Sequence, residues 1–214
     1  LAVARHAKAG FDVRIEGLAN GQSMRVYAST ETHHWLVRGV ELLGLGRTSI
    51  DWIDVDADFR INLQSLEHHL ERDRQQGIHP LAIVANAGTV QTGAIDPIDS
   101  LADIASNNNV WLHIDGAFGA LARLSSKLAP LVAGIDRADS IAFDLHKWMY
   151  LPFESACVLI RDGELQRQAF VIDAPYLAAT KRGVAAGGTP LADRGIELSR
   201  SFKALKVWLS LLSY

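Results

Sequence analysis

Residues 140–150 read SIAFDLHKWMY. Ser140 to Phe143 is a short apolar strand, and the turn after it presents Lys147 between His146 and Trp148. A lysine at a strand end is, taken alone, an ordinary surface charge. Residues 110–119, VWLHIDGAFG, repeat the pattern: an apolar strand ends in Asp115, followed by Gly116, Ala117, Phe118 and Gly119. The two strand ends are one βα unit apart, the spacing of parallel neighbours in one sheet. An acid and an amine are therefore expected on the same rim.

The flanking sequence extends this alternation. Strands are expected around Phe11–Ile15, over Arg25–Ala28, in Ser49–Val55, through the buried run LAIVANAG after Pro80, and at Ser155–Ile160, which pairs as a hairpin with the Lys147 strand. Between them, Ser29, Thr30 and Glu31 open a helix carrying His33 and His34 that ends at Gly44. Asn62 caps a helix over Leu63–Gln76. Asp96-Pro97 starts another, which Asn107-Asn108-Asn109 breaks, and a further helix is expected through Leu121–Leu124. Alternating elements imply an α/β domain with a mainly parallel sheet, helices on both faces, and ligands bound off the carboxyl ends of the strands. Residues 184–190, VAAGGTP, read as a loop.

The 214 residues suffice for one large domain with its own core. A net charge of −3 without blocks of like charge argues against nucleic-acid or anionic-membrane surfaces. No apolar run approaches the roughly 18 residues of a spanning helix. Cys157 is the single cysteine, which rules out an intrachain disulfide; a cytoplasmic setting is the default. The chain opens at Leu1 in a helix-like run without a cap and stops at Tyr214 inside the helical pattern FKALKVWLSLLSY. Residues 1–214 are thus expected to be a partial domain from a longer protein.

A lysine that can hold an aldehyde as a Schiff base and an acid that keeps a ring nitrogen protonated are what a pyridoxal phosphate site needs. Each unit by which Asp115 raised the ring-nitrogen pKa would be about 1.4 kcal/mol of differential stabilisation. Ala117 is small enough for a flat ring to lie against the backbone. His113 shares a strand face with Asp115 and reads as a hydrogen-bonded core histidine. His68 and His69 read as solvent-facing. No GxGxxG, Walker or HExxH pattern occurs.

The chain resembles the pyridoxal-phosphate-dependent group II amino-acid decarboxylases, which include the aromatic amino-acid and glutamate decarboxylases. Six segments carry the resemblance in family order: THHWLVRG (32–39), NAGTVQTGAID (86–96), LHIDGAFG (112–119), FDLHKWMY (143–150), DAPYL (173–177) and LSRSFKALKVW (198–208). The resemblance implies an aspartate-aminotransferase-like fold (fold type I): the large domain with a seven-stranded-type sheet, incomplete at both ends. The amino-terminal phosphate cradle and the carboxyl-terminal small domain would lie outside this chain. It also implies a homodimer with shared active sites, pyridoxal 5'-phosphate as cofactor and an amino-acid substrate.

Residue by residue, the resemblance makes Lys147 the Schiff-base lysine and Asp115 the partner of the ring nitrogen. Ala117 would touch one ring face and His33 the other. His34 competes for that stack; His33 is preferred because it stands five residues before Arg38, matching a basic residue of the family pattern. Thr89 would lie near the ring hydroxyl, His146 near the phosphate or Schiff base, and Ser140 at the phosphate. Tyr176 matches a loop tyrosine that reaches the neighbouring subunit and returns a proton to the substrate carbon after carbon dioxide leaves. Arg200 matches a basic residue that braces the site or a domain junction. Asp144 departs from the asparagine of many members and puts the phosphate contacts near it in doubt. The expected activity is decarboxylation of an L-amino acid, aromatic first. The alternatives are an aminotransferase or aldolase of the same fold, or a catalytically silent homologue acting by association. This piece alone is expected to bind the cofactor poorly and to be inactive.

Overall fold

A computed structural model describes residues 1–19, 21–172, 182 and 190–213. In chain order the elements are α1 (Ala2–Lys8), α2 (Val13–Glu16), β1 (Met24–Ser29), α3 (Trp35–Leu42), β2 (Ile50–Ile53), α4 (Leu63–Gln75), β3 (His79–Asn86), α5 (Ile98–Asn108), β4 (Trp111–Asp115), β5 (Ser140–Asp144), β6 (Ala156–Ile160), α6 (Gly163–Phe170) and α7 (Lys203–Ser213). The strands form one sheet in the order β2-β1-β3-β4-β5-β6. The first five run parallel, and β6 returns antiparallel beside β5 as the expected hairpin partner. Six strands are present among the described residues where a seven-stranded type was expected, and β6 has no outer neighbour among them.

Helices cover both faces because the central strands are apolar on both. Along β3, Ile83 and Ala85 pack into one core cluster with Leu66 and Leu70 of α4 and Leu101 of α5. Ala82 and Val84 point the other way, into a cluster with Val3 and Ala4 of α1 and Leu36 and Val40 of α3. α4 starts where Asn62 accepts the Ser65 amide at 3.0 Å, and α5 ends at Asn109, in the left-handed region with φ 53°.

Three local expectations are corrected. Phe11–Ile15 is not a strand: Asp12 accepts the Arg14 amide and caps the short α2. The helix bearing His33 and His34 does not open at Ser29 but begins at Trp35, with both histidines in the turn before it. The Ser29 and Thr32 hydroxyls, which would otherwise cap, accept from Asn86 Nδ2 at 3.3 and 3.0 Å. Residues 119–124 form a 3-10 turn in place of an α-helix.

Candidate active site

Parallel strands place their carboxyl ends on one rim, and the register here is tight. Asn86 of β3 pairs with Asp115 of β4, which pairs with Ala142 of β5. The chain beyond β4 must then pass close beneath the loop beyond β3. Gly119 donates its amide to Ala87 O at 2.9 Å, and a Cβ there would lie 2.3 Å from that oxygen, so only glycine fits. The rim opens into a cavity of about 450 Å³ whose lining includes His33, Trp35, Thr89, Asp115, Ala117 and Lys147.

Asp115 is half-buried and held from two sides. Its Oδ1 accepts the Ala117 amide at 3.1 Å, and its Oδ2 accepts the Trp35 indole N–H at 2.6 Å. The two bonds together fix the plane of the carboxylate. Lys147 approaches from β5. Its Nζ is 2.7 Å from Asp144 Oδ2 and 4.3 Å above the centre of the Phe118 ring. His33 is exposed at the mouth, with Nδ1 accepting the Trp35 backbone N–H at 3.2 Å. Thr89 is buried, its hydroxyl 2.7 Å from that of Thr92.

His113 also lines the cavity, is buried, and meets the Trp35 ring edge-on at 5.6 Å. Its Nδ1 lies 2.8 Å from the Ser140 hydroxyl. Burial pushes its pKa down to about 3, so the imidazole is neutral at physiological pH.

Of the site residues named from the sequence, the structure brings Lys147, Asp115, Ala117, His33 and Thr89 to the cavity, and does not bring Ser140 or His146 there. The buried Ser140 hydroxyl accepts the Trp111 indole N–H at 2.8 Å and bonds His113, which ties β5 to β4. His146 is turned to Ser155, with Nδ1 2.6 Å from the Ser155 carbonyl, and pins the turn after Lys147 to the start of β6. Of the two adjacent histidines, His33 lines the cavity and His34 does not. Tyr176 lies outside the described residues. Arg200 is exposed and donates to the Glu197 carbonyl at 3.2 Å, without reaching the cavity. His69 is not solvent-facing as expected; its ring nitrogen meets Asp51 at 2.9 Å.

Two features were missed in the sequence. Trp35 was quoted only as part of a motif, and nothing local marks it as the donor to Asp115. Asp96 is buried and accepts from the Ile61 amide at 2.8 Å and from the Asn86 amide and Nδ2 at 2.6 and 3.0 Å. Burial raises its pKa, against the pull of these donors. This anchor fixes Asn86 at the cavity wall.

The chain matches the family model described as pyridoxal-dependent decarboxylase conserved domain over residues 15–214. The chain belongs to this family. It is 39% identical over 210 residues to an aromatic-L-amino-acid decarboxylase of Bacillus atrophaeus, covering 98% of this chain and 42% of that protein. It is 28% identical over 200 residues to the human acidic amino acid decarboxylase GADL1, covering 93% and 38%. The crystal structure of mouse CSAD superimposes with a TM-score of 0.91 at 28% identity, over 99% of this chain and 43% of that one. The chain thus spans less than half the length of each.

The residues present fit the family's cofactor, pyridoxal 5'-phosphate. One cavity offers a primary amine, a carboxylate locked by two donors, a small side chain at Ala117 and an imidazole at the mouth. The carboxylate is the acceptor a protonated ring nitrogen requires, and the amine is the group an aldehyde requires.

Proposed function

We propose that the protein removes the carboxyl group of an L-amino acid as carbon dioxide, using pyridoxal 5'-phosphate held by Lys147 and Asp115. The observation that carries this is the meeting, in one cavity, of an amine from β5 and a doubly bonded carboxylate from β4. When bound, the cofactor supplies an electron sink for the pair left behind when the carbon–carbon bond to the carboxylate breaks.

The protein's own groups do the rest. Asp115 holds the ring-nitrogen proton, and the Ala117 amide and Trp35 keep its carboxylate aligned for that task. Lys147 would hold the cofactor through its amine, and Asp144, 2.7 Å away, is placed to accept the proton that the amine must lose to do so. Ala117, His33 and Thr89, which line the same cavity, would border the ring. Tyr176, contributed by a second copy of the chain in a homodimer, returns a proton to the substrate carbon. Positioning of these groups supplies much of the rate.

Aromatic amino acids are the proposed substrates. Val90, Phe118 and Trp35 give the cavity apolar walls, and the 39% identical relative is named for aromatic substrates. The test incubates the intact protein and cofactor with a panel of amino acids, following carbon dioxide and keto acid separately. Carbon dioxide with amine product, greatest for aromatic side chains, is expected. Keto acid without carbon dioxide would mean an aminotransferase.

A further inference from the structure

Trp35 is the first residue of α3, and its indole N–H donates to Asp115 Oδ2 at 2.6 Å. The helix is anchored one residue further on by buried Leu36, and again by Val40. The indole is itself constrained by a T-shaped contact with the His113 ring, centroids 5.6 Å apart. His113 is in turn held by Ser140 of β5. A continuous set of contacts therefore runs from Ser140 of β5 through His113 of β4 to Trp35 of α3 and ends on Asp115.

A carboxylate has about four acceptor positions on its two oxygens. The Ala117 amide takes one on Oδ1 and Trp35 one on Oδ2, so each oxygen keeps capacity for a further donor. With Ala117 alone, the carboxylate could rotate about the Cβ–Cγ bond; with both donors its plane is set. We propose that Trp35 is a positioning residue that aims the Asp115 carboxylate at the cofactor ring nitrogen. This rests on the proposed cofactor site, yet the contact itself can be tested without cofactor.

Trp35 also fills space against the second core cluster, so the test must isolate the N–H from the ring. In the intact protein, Trp35→Phe keeps an aromatic ring and removes the donor, and Trp35→His keeps a ring N–H. The cofactor dissociation constant is expected to rise about tenfold in Trp35→Phe, equivalent to about 1.4 kcal/mol, and the pH at which bound-cofactor absorbance changes should shift. Trp35→His should recover most of both. In an Asp115→Asn background Trp35→Phe should add nothing further. Wild-type affinity in Trp35→Phe, equal losses in Trp35→Phe and Trp35→His, or additive losses would each overturn the proposal.

A second readout needs no folded Trp35→Phe. In the protein without cofactor, the Trp35 indole N–H resonance, assigned with Trp35→His, should lie downfield of the other indoles and move upfield in Asp115→Asn. A stationary resonance overturns the inference even if the cofactor binds. A wild-type protein that fails to bind pyridoxal 5'-phosphate would sink the proposed function, while this resonance would still decide the Trp35 contact.

Discussion

The two walls of the cavity are made differently. The Asp115 wall belongs to β3 and β4, whose residues are buried on both sheet faces, and every polar group named on it is bonded inward. The Lys147 wall belongs to the β5–β6 margin, where Trp148, Val158 and Leu159 are more than half exposed. Lys147 is held there by an ion pair and a ring contact. One wall is buried and bonded from several sides, and the other is exposed and held by fewer contacts. That division suits chemistry in which the acid keeps one partner throughout while the amine must release and reclaim its own.

The largest expected effect comes from the exposed wall. Lys147→Ala should lower decarboxylation by at least about 10³-fold, measured as carbon dioxide release at saturating cofactor. Retention of a tenth of the activity would mean that the amine does not carry the cofactor. On the buried wall, Asp115→Asn keeps the shape and removes the charge. A loss of about 10²–10³-fold in kcat is expected, with the far-ultraviolet circular dichroism unchanged. A change confined to KM would show the acid binding substrate instead of tuning the ring.

Stability should divide in the same way. Leu101→Ala empties a fully buried site on α5 and should cost about 2–5 kcal/mol in urea unfolding. Leu159→Ser, at a residue 52% exposed, should stay within about 0.5 kcal/mol. Equal costs would show that the margin is covered in solution.

The pH dependence sharpens the contrast further. His113 is buried with its pKa lowered to about 3 from an ordinary 6.5, so the unfolded chain binds a proton that the folded one refuses. Its contribution is intact above pH 6.5 and is lost as pH falls from there towards 3, by up to about 1.4 kcal/mol per unit. His113→Gln should flatten that part of the stability profile; an unchanged slope would place the acid sensitivity elsewhere. The smallest effect is expected for Asp144→Asn. A partly exposed ion pair contributes about 0–1 kcal/mol, so urea unfolding should move by no more than that. A larger loss would show that the pair with Lys147 holds the turn after β5.

Much of this was legible in the chain because it is written in local pattern. The run LAIVANAG became β3, buried on both faces as its unbroken apolarity required, and Asp115 and Lys147 arrived at the same rim because one βα unit separates their strands. What was misread depended on distant partners. The run Phe11–Ile15 alternates like a strand, but the cap at Asp12 makes it helical. Ser29 looks like the start of a helix until Asn86 claims its hydroxyl across the sheet. Trp35 and Asp115 are separated by 80 residues, and no spacing rule joins them. Ser140 and His146 share a short segment with Lys147, yet side-chain direction turned them towards Trp111, His113 and Ser155.

The central claim is that Lys147 carries the cofactor opposite Asp115. Borohydride reduction of the intact protein with bound pyridoxal 5'-phosphate, followed by proteolysis and mass spectrometry of the peptides, tests it directly. The account predicts one pyridoxyl adduct, on Lys147. A cofactor-loaded protein whose adduct maps to another lysine, or which gives none, would contradict it.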